Sequence, residues 1–350
     1  MRCTSPWTVG FRHDGKTLAW SYKQHSKEYP TFQLPCGKCL SCRLEYSRQT
    51  AIRCVHESLQ YKDNSFITLT YSEENLKSNK LQYKDFQNFI KKLRSHILDE
   101  KLKKMYPTAN TQDARREIYR KSEKATKDMV KTECTISVFC TGEYGDKKKR
   151  PHWHAIIFNW EPQDKTHKYT NDRGDKVYSS EILNILWPYG ISEIGSVTFE
   201  SASYVARYAT KKLYHGKDGT HEYEPISRRS TKNAIGKTWI EKNWKDCFTN
   251  GYLVFKKKDQ YIQCGIPRYY EKWLKKNHPT EWTRYVTQVK PKIIQQAEKQ
   301  EEKTTLEEKK ANFKRSAIKG LNMKPVKTKK QHEADILKSN FDKVRIYQKL

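Results

Sequence analysis

The chain has no apolar run long enough to span or anchor in a bilayer, so no integral membrane protein is expected. Its N-terminus, Met1-Arg2-Cys3-Thr4-Ser5-Pro6-Trp7, lacks the apolar core of a secretory signal. The cysteines number 9, an odd count. Without a secretory signal they point to reduced thiols or metal ligands in a cytoplasm rather than a disulfide framework. Acidic charge is scarce: Asp and Glu total 40 against 69 Lys and Arg, a formal net charge of +29. That balance implies a polyanionic partner, and nucleic acid comes first because phosphate neutralisation drives its binding. A nucleotide-driven motor is not evident either. Gly236-Lys237-Thr238 has the end of a phosphate loop, but Thr231 stands where its first glycine belongs.

A chain of 350 residues has room for one large domain or two modest ones. Hydrophobic residues at 35% and aromatics at 12% suit a globular protein, while a mean hydropathy of −0.99 implies much solvated surface. Composition and pattern divide it into a Cys-rich segment and helix (1–60), a core (61–215), a basic, aromatic extension (216–290) and a helical or disordered basic tail (291–350).

Residues 1–35 carry short strand-like pieces without a clear period. Cys36-Gly37-Lys38-Cys39-Leu40-Ser41-Cys42 then places three thiols at C-x-x-C-x-x-C spacing, suited to a tetrahedral soft metal such as zinc, with Gly37 easing the turn. An iron–sulfur cluster fits less well, since position 46 is Tyr where a fourth Cys belongs. The fourth zinc ligand is Cys3, or failing that Cys54 or His56; such a site would be structural. Arg43 to Tyr61 reads as a helix with Leu44, Ser47, Ala51, Val55 and Leu59 on its packed face. A strand over Ser65–Tyr71 and a helix over Tyr83–Leu98 follow, and residues 100–131 read as a solvated helical insertion.

Cys134 to Cys140 is strand-like and turns out at Thr141-Gly142-Glu143-Tyr144-Gly145. The loop Asp146-Lys147-Lys148-Lys149-Arg150 leads into a second strand, Arg150-Pro151-His152-Trp153-His154-Ala155-Ile156-Ile157-Phe158. Strand side chains alternate faces, so His152 and His154 share one side and can grip one divalent cation. So short a connection implies an antiparallel hairpin, which brings Glu143 near both histidines as a third ligand. A polar loop at 161–180, a short helix over Glu181–Trp187 and a strand over Ile191–Phe199 come next. Ser201 then caps a helix to Leu213, on which Tyr204, Tyr208 and Lys211 fall on one stripe. Gly265 to Tyr270 and Lys272 to Lys276 interleave basic and aromatic residues, as single-strand binders do and as an ordinary amphipathic helix also does.

H-x-H followed by a helix carrying Y-x-x-x-Y-x-x-K resembles the HUH endonucleases that initiate rolling-circle replication, and within them the replication initiators of microviruses, the gokushovirus-like single-stranded DNA phages. Phe66-Ile67-Thr68-Leu69-Thr70, Gly142-Glu143-Tyr144-Gly145, Arg150 to His154 and Tyr204 to Lys212 carry the likeness, with Pro35-Cys36-Gly37-Lys38-Cys39 and Cys42-Arg43-Leu44-Glu45 beside them. The resemblance implies an α+β fold, an antiparallel sheet flanked by helices with a ferredoxin-like or RRM-like core. It implies metal-dependent nicking of single-stranded origin DNA through a 5′-phosphotyrosine link, followed by strand joining. In that reading His152, His154 and Glu143 hold Mg²⁺ or Mn²⁺, Tyr204 and Tyr208 are nucleophiles, and Lys211 favours the phenolate. Structural Zn²⁺ would lie at Cys3, Cys36, Cys39 and Cys42. DNA would meet Lys147, Lys148, Lys149, Arg150, Arg207, Lys212 and Arg268. The partners implied are the origin strand and the host's replication helicase and polymerase, in the host bacterial cytoplasm, with no membrane. A transposase or plasmid mobilisation nuclease of the same superfamily, or a non-enzymatic zinc-containing nucleic-acid binder, are the rival readings.

Overall fold

The computed structural model describes residues 3, 5–76, 78, 80–145, 150–172, 174–211, 226–257, 260–316 and 335, and for residues 207–211 the helical backbone alone. Contacts divide the chain into one unit of residues 1–46 with 243–350 and another of residues 47–242.

The first unit opens on three short strands, β1 (Trp7–Phe11), β2 (Leu18–Ala19) and β3 (Phe32–Leu34), antiparallel in the order β2-β1-β3. Gly37 follows at φ 72°, a left-handed turn position that glycine occupies without steric cost. Helix α1 (Leu40–Ser58) starts three residues before the expected Arg43. Its packing over residues 47–58 also departs from the apolar stripe. Leu59 is 68% exposed, whereas Arg53 is buried and donates twice to the Ile235 carbonyl, at 3.0 and 2.9 Å. Glu57 accepts from the Gly236 N–H at 2.7 Å, so the end of the rejected phosphate loop meets a buried carboxylate. Burial raises the Glu57 pKa. A polar face that docks on backbone groups is satisfied inside the fold, and spacing of apolar residues alone does not reveal it.

The second unit is built on a large antiparallel sheet. In chain order its elements are β4 (Asn64–Thr70), α2 (Tyr83–Met105), α3 (Gln112–Lys121), α4 (Lys124–Cys134), β5 (Ser137–Tyr144), β6 (Pro151–Phe158), β7 (Thr166–Thr170), β8 (Lys176–Ser179), α5 (Glu181–Leu186), β9 (Ser192–Gly195), α6 (Phe199–Lys211) and β10 (Ile226–Arg229). The strands lie in the order β10-β5-β6-β4-β9-β8-β7. Alternation gives each central strand two different faces. Ile67, Leu69, Val138, Cys140, Trp153 and Ile157 pack with Phe86, Phe89, Ile90 and Leu93 of α2. Phe139, Ile156 and Phe158 pack on the other side with Ala51 and Cys54 of α1 and Ala202, Val205 and Ala206 of α6. Gly142 sits under the fully buried Trp153: a Cβ there would lie 2.6 Å from the indole ring.

Several boundaries differ from expectation. Cys134 ends α4, and β5 runs on to Tyr144, so Glu143 is a strand residue rather than a turn residue. The 100–131 segment is helical, yet Leu102 and Val130 are buried, so it is not wholly solvated. The polar stretch 161–180 contains the β7–β8 hairpin. The cap of α6 is Thr198, not Ser201. Thr198 Oγ1 accepts from the Ser201 N–H at 3.1 Å, and Ser201 Oγ accepts in return from the Thr198 N–H at 2.8 Å, a reciprocal capping box.

The chain returns to the first unit through α7 (Lys237–Asn250), the hairpin β11 (Leu253–Lys257) and β12 (Gln260–Cys264), α8 (Arg268–Asn277), α9 (Pro279–Arg284), a π-helical stretch over Tyr285–Val289 and α10 (Lys290–Ser316). In α8 Tyr270 and Leu274 are fully buried, so this basic, aromatic segment is an amphipathic helix. The tail is helical as far as Ser316. Among the described residues no helix is long and apolar enough to cross a membrane.

Candidate active site

The register of β5 against β6 sets the site. Glu143 lies opposite His152 and Thr141 opposite His154, while β4 places Thr70 and Thr68 opposite the same two histidines on the other side. Directly paired residues share a face, so the expected two-histidine grip forms with the carboxylate between the rings. Glu143 Oε1 lies 2.9 Å from His152 Nε2 and 3.0 Å from His154 Nε2. Glu143 is 4% and His154 5% exposed, so water screens this cluster little.

The other ring nitrogens fix the orientation. His152 Nδ1 lies 3.1 Å from the Arg150 carbonyl, which can only accept, so Nδ1 carries the proton. His154 Nδ1 lies 3.0 Å from Thr68 Oγ1. Both Nε2 atoms are thereby turned toward the carboxylate, with their outer nitrogens held as metal-ligating histidines usually are. Burial by itself would raise the Glu143 pKa, but hydrogen bonds from His152 and His154, reinforced by their charge, hold it down to about 2. Two imidazole nitrogens and a carboxylate oxygen this close need either protons or a cation between them. Their spacing matches the edge of an octahedron with metal–ligand bonds of about 2.1 Å, roughly 3.0 Å. The donor set fits a divalent ion.

Tyr204 on α6 faces this cluster. Its hydroxyl lies 3.4 Å from His154 Nε2, and its ring meets the His154 ring edge-on at 5.0 Å. Phe66 lies parallel to His154 at 6.0 Å and edge-on to Tyr204 at 6.2 Å, so one aromatic ring borders both. The helix is pinned here by Thr141 Oγ1 donating to the Val205 carbonyl at 3.3 Å and Ser47 Oγ to the Ser203 carbonyl at 3.4 Å.

Comparison with known proteins agrees with this arrangement. A family model described as a replication-associated protein, of the ORF2 type, matches residues 105–213, a span that contains Glu143, His152, His154 and Tyr204. The chain is 44% identical over 308 residues, 88% of each chain, to Replication-associated protein VP4 of Bdellovibrio phage phiMH2K. The chain belongs to the replication-associated proteins of microviruses. Replication-associated protein ORF2 of Spiroplasma virus 4 is 26% identical, over 81% of this chain and 80% of its own. Replication-associated protein ORF4 of Chlamydia phage 1 is 29% identical, over 72% of this chain and 56% of its own. No solved structure matches.

Other expected site residues of this replication-associated protein fall as follows. Arg150 pairs with Glu73 and donates to the Tyr71 carbonyl at 3.1 Å, so its guanidinium is already engaged. Arg207, Tyr208 and Lys211 lie on α6, with their side chains outside the described structure. Lys147, Lys148, Lys149 and Lys212 lie outside the described residues. Arg268 opens α8. Thr68 and Phe66 join the site although the sequence does not single them out for it. The alternation of Phe66-Ile67-Thr68-Leu69-Thr70 does place both on one face, but only the pairing with β6 shows that this is the histidine face.

In the first unit Cys3, Cys36, Cys39 and Cys42 bring their sulfurs within 4.8 Å of one another. Cys3 and Cys39 sulfurs are 3.7 Å apart, close to the roughly 3.8 Å edge of a tetrahedron with Zn–S bonds of about 2.3 Å. Backbone N–H groups of Cys36 and Cys39 point at the sulfurs of Cys3 and Cys36, at 3.3 and 3.2 Å, as they would toward thiolates. Burial, with the neighbouring Cys39 and Cys3 thiols, pushes Cys42 up to about 12. Four thiols so placed ionise together only around a cation. The alternatives to Cys3 lie elsewhere: Cys54 is fully buried in the apolar cluster, and His56 stacks on Trp239 at 3.5 Å.

Proposed function

We propose that this protein is a rolling-circle replication initiator of the HUH type, which nicks single-stranded DNA at the phage origin and later rejoins the strand. The observation that carries the reading is the convergence of Glu143, His152 and His154 within 3.0 Å, with the Tyr204 hydroxyl 3.4 Å from the same His154 nitrogen. A metal-ligand set and a nucleophile side chain thus meet on one sheet face beneath one helix, in a family named for replication.

Glu143, His152 and His154 would hold Mg²⁺ or Mn²⁺. When bound, the ion supplies Lewis-acid polarisation of the scissile phosphate. The chain's own work is to position the strand and deliver the nucleophile. A phenol with a solution pKa near ~10 is a poor nucleophile at neutral pH, and a lysine at i+7 on the same helical stripe, Lys211, favours its ionised form. The Tyr204 oxygen attacks phosphorus, an O–P bond forms, the bond to the 3′ oxygen breaks, and that oxygen takes a proton. The products are a 5′-phosphotyrosine link and a free 3′-OH for a host polymerase working with a host helicase in the bacterial cytoplasm. Tyr208, one turn further on, supplies the second attack that closes the circle. Lys147, Lys148, Lys149, Arg150, Arg207, Lys212 and Arg268 supply charge for the DNA.

Cys3, Cys36, Cys39 and Cys42 would hold a structural Zn²⁺ that closes the N-terminal segment, separate from the exchangeable ion of the nuclease site.

The test is a nicking assay on a single-stranded origin fragment in Mg²⁺ buffer. His154→Ala should lose at least about 100-fold in nicking rate, the order expected when a metal ligand goes, while retaining non-specific DNA binding. Wild-type nicking by His154→Ala would overturn the assignment.

A further inference from the structure

The sheet face opposite the candidate active site carries a second feature. A groove of about 770 Å³ lies between α2, α4, the start of β5 and strand β10 with the turn after it. Val138 and Cys140 line it, and these alternate along β5 with Phe139, Thr141 and Glu143, which face the other way. Six of its lining residues are cationic and none is acidic, in a chain that has 40 acidic residues. Lys91, Arg94, Lys131, Arg228 and Lys232 are exposed, and none forms an ion pair with a described carboxylate. They come from three sides: Lys91 and Arg94 from α2, Lys131 from α4, Arg228 and Lys232 from the β10 side.

Five uncompensated cations around one depression repel one another, so the groove is set to hold a polyanion. Its floor is not polar. Phe86, Ile90 and Val138 lie there, with Tyr83 and Tyr119 in the walls and the Arg228 guanidinium 5.8 Å above the Tyr83 ring. Cations on the rim with aromatic and apolar groups beneath match a strand whose phosphates stay at the edge while its bases turn inward. A duplex keeps its bases stacked inside and offers such a floor nothing. The volume accommodates on the order of one or two unstacked nucleotides, within the usual 300–1,000 Å³ of ligand pockets.

We infer that this groove is a second, non-catalytic site for single-stranded DNA, which grips a stretch of strand away from the phosphate at Glu143, His152 and His154. It rests on the proposed function only in taking DNA as the polyanion. Binding on the reverse face lets the protein keep hold of one segment while another is cut.

The experiment uses the full chain, a fluorescein-labelled 30-nucleotide oligothymidylate, and buffer without divalent ions, so nicking does not enter the readout. Lys91→Glu with Arg94→Glu should lower the slope of log affinity against log salt by about 1.4, two phosphate contacts at ~0.7 each, and weaken binding about tenfold at ~0.15 M salt. Lys103→Glu with Lys104→Glu makes the same charge change at exposed positions at the far end of α2 and should leave the slope unchanged. A 5-bromouracil version of the oligonucleotide should photocross-link within the segments 83–94, 119–131 or 228–232. Should the first pair fail to fold, Lys131→Ser with Lys232→Ser is read in its place against the same expectation. Equal slopes for groove and control variants, or cross-links only outside those segments, would overturn the inference. Nicking of the origin fragment by the same preparations in Mg²⁺ reports separately on the catalytic reading.

Discussion

Thr68→Val removes one hydroxyl and little else, which makes it the cleanest probe of how the histidines are held. Thr68 Oγ1 lies 3.0 Å from Nδ1 of His154, a ring that is 5% exposed. Valine preserves the branched shape and the β-propensity of the strand, so β4 keeps its pairing with β6 and β9. Two costs follow. The lost hydrogen bond is worth about 0.5–1.5 kcal/mol, and a buried ring nitrogen left without it adds about 1–3 kcal/mol of desolvation. For the cation, loss of an outer partner of a ligating histidine costs about 10–100-fold in affinity, or roughly 1.4–2.7 kcal/mol. Calorimetric titration with Mn²⁺ should therefore show affinity down by that factor, with nicking at subsaturating Mn²⁺ falling in step. Thr68→Ser keeps the hydroxyl and should bind Mn²⁺ within about threefold of wild type. If valine matches wild type, or if serine and valine are equally impaired, Thr68 does not orient His154 and the tautomer argument fails.

Further outcomes follow from other sites. Protein purified under reducing conditions should contain about one tightly held zinc per chain by elemental analysis, and Cys42→Ser should lose it together with stability; a metal-free wild type would remove that site. His56 is buried against Trp239, and burial lowers its pKa from 6.5 to about 3. Between those values the unfolded chain binds the proton and the folded one does not, so stability is complete above pH ~6.5 and drains away as pH falls. At pH 5 the loss reaches about 2 kcal/mol. His56→Phe keeps a ring on Trp239 and should flatten that acid limb in urea titrations. An unchanged limb would show that His56 is not its source.

Much of the candidate site is legible in the sequence because its signals are local. His152 and His154 are two residues apart on a strand, and strand geometry alone puts them on one face. The short turn to the preceding strand brings Glu143 to them, and its strand position makes the pairing with His152 direct. Cys3 joins Cys36, Cys39 and Cys42 across 33 residues, a proximity suggested by cysteine count rather than by any pattern. What escapes has no apolar period to betray it. The β7 residues are all exposed, so Thr166–Thr170 reads as loop, and β10 is Ile-Ser-Arg-Arg. Arg53 and Glu57 look like solvent-facing charges on α1, and only the backbone around Ile235 and Gly236 shows where they go. Ser201 reads as the α6 cap because serine caps helices, yet Thr198 three residues earlier makes the same bond in the opposite sense.

The central claim is that a tyrosine of α6 attacks DNA beside the Glu143–His152–His154 cluster. The most direct measurement traps the covalent adduct on a labelled single-stranded origin fragment in Mn²⁺ and maps the modified residue by mass spectrometry. Phenylalanine at either position removes only the hydroxyl, so packing against Phe66 and His154 survives. Tyr204→Phe and Tyr208→Phe should each still form some adduct but fail at strand joining, and the double variant should form none while binding DNA and metal as before. An adduct in the double variant, or one mapped to a residue other than Tyr204 or Tyr208, would contradict the account.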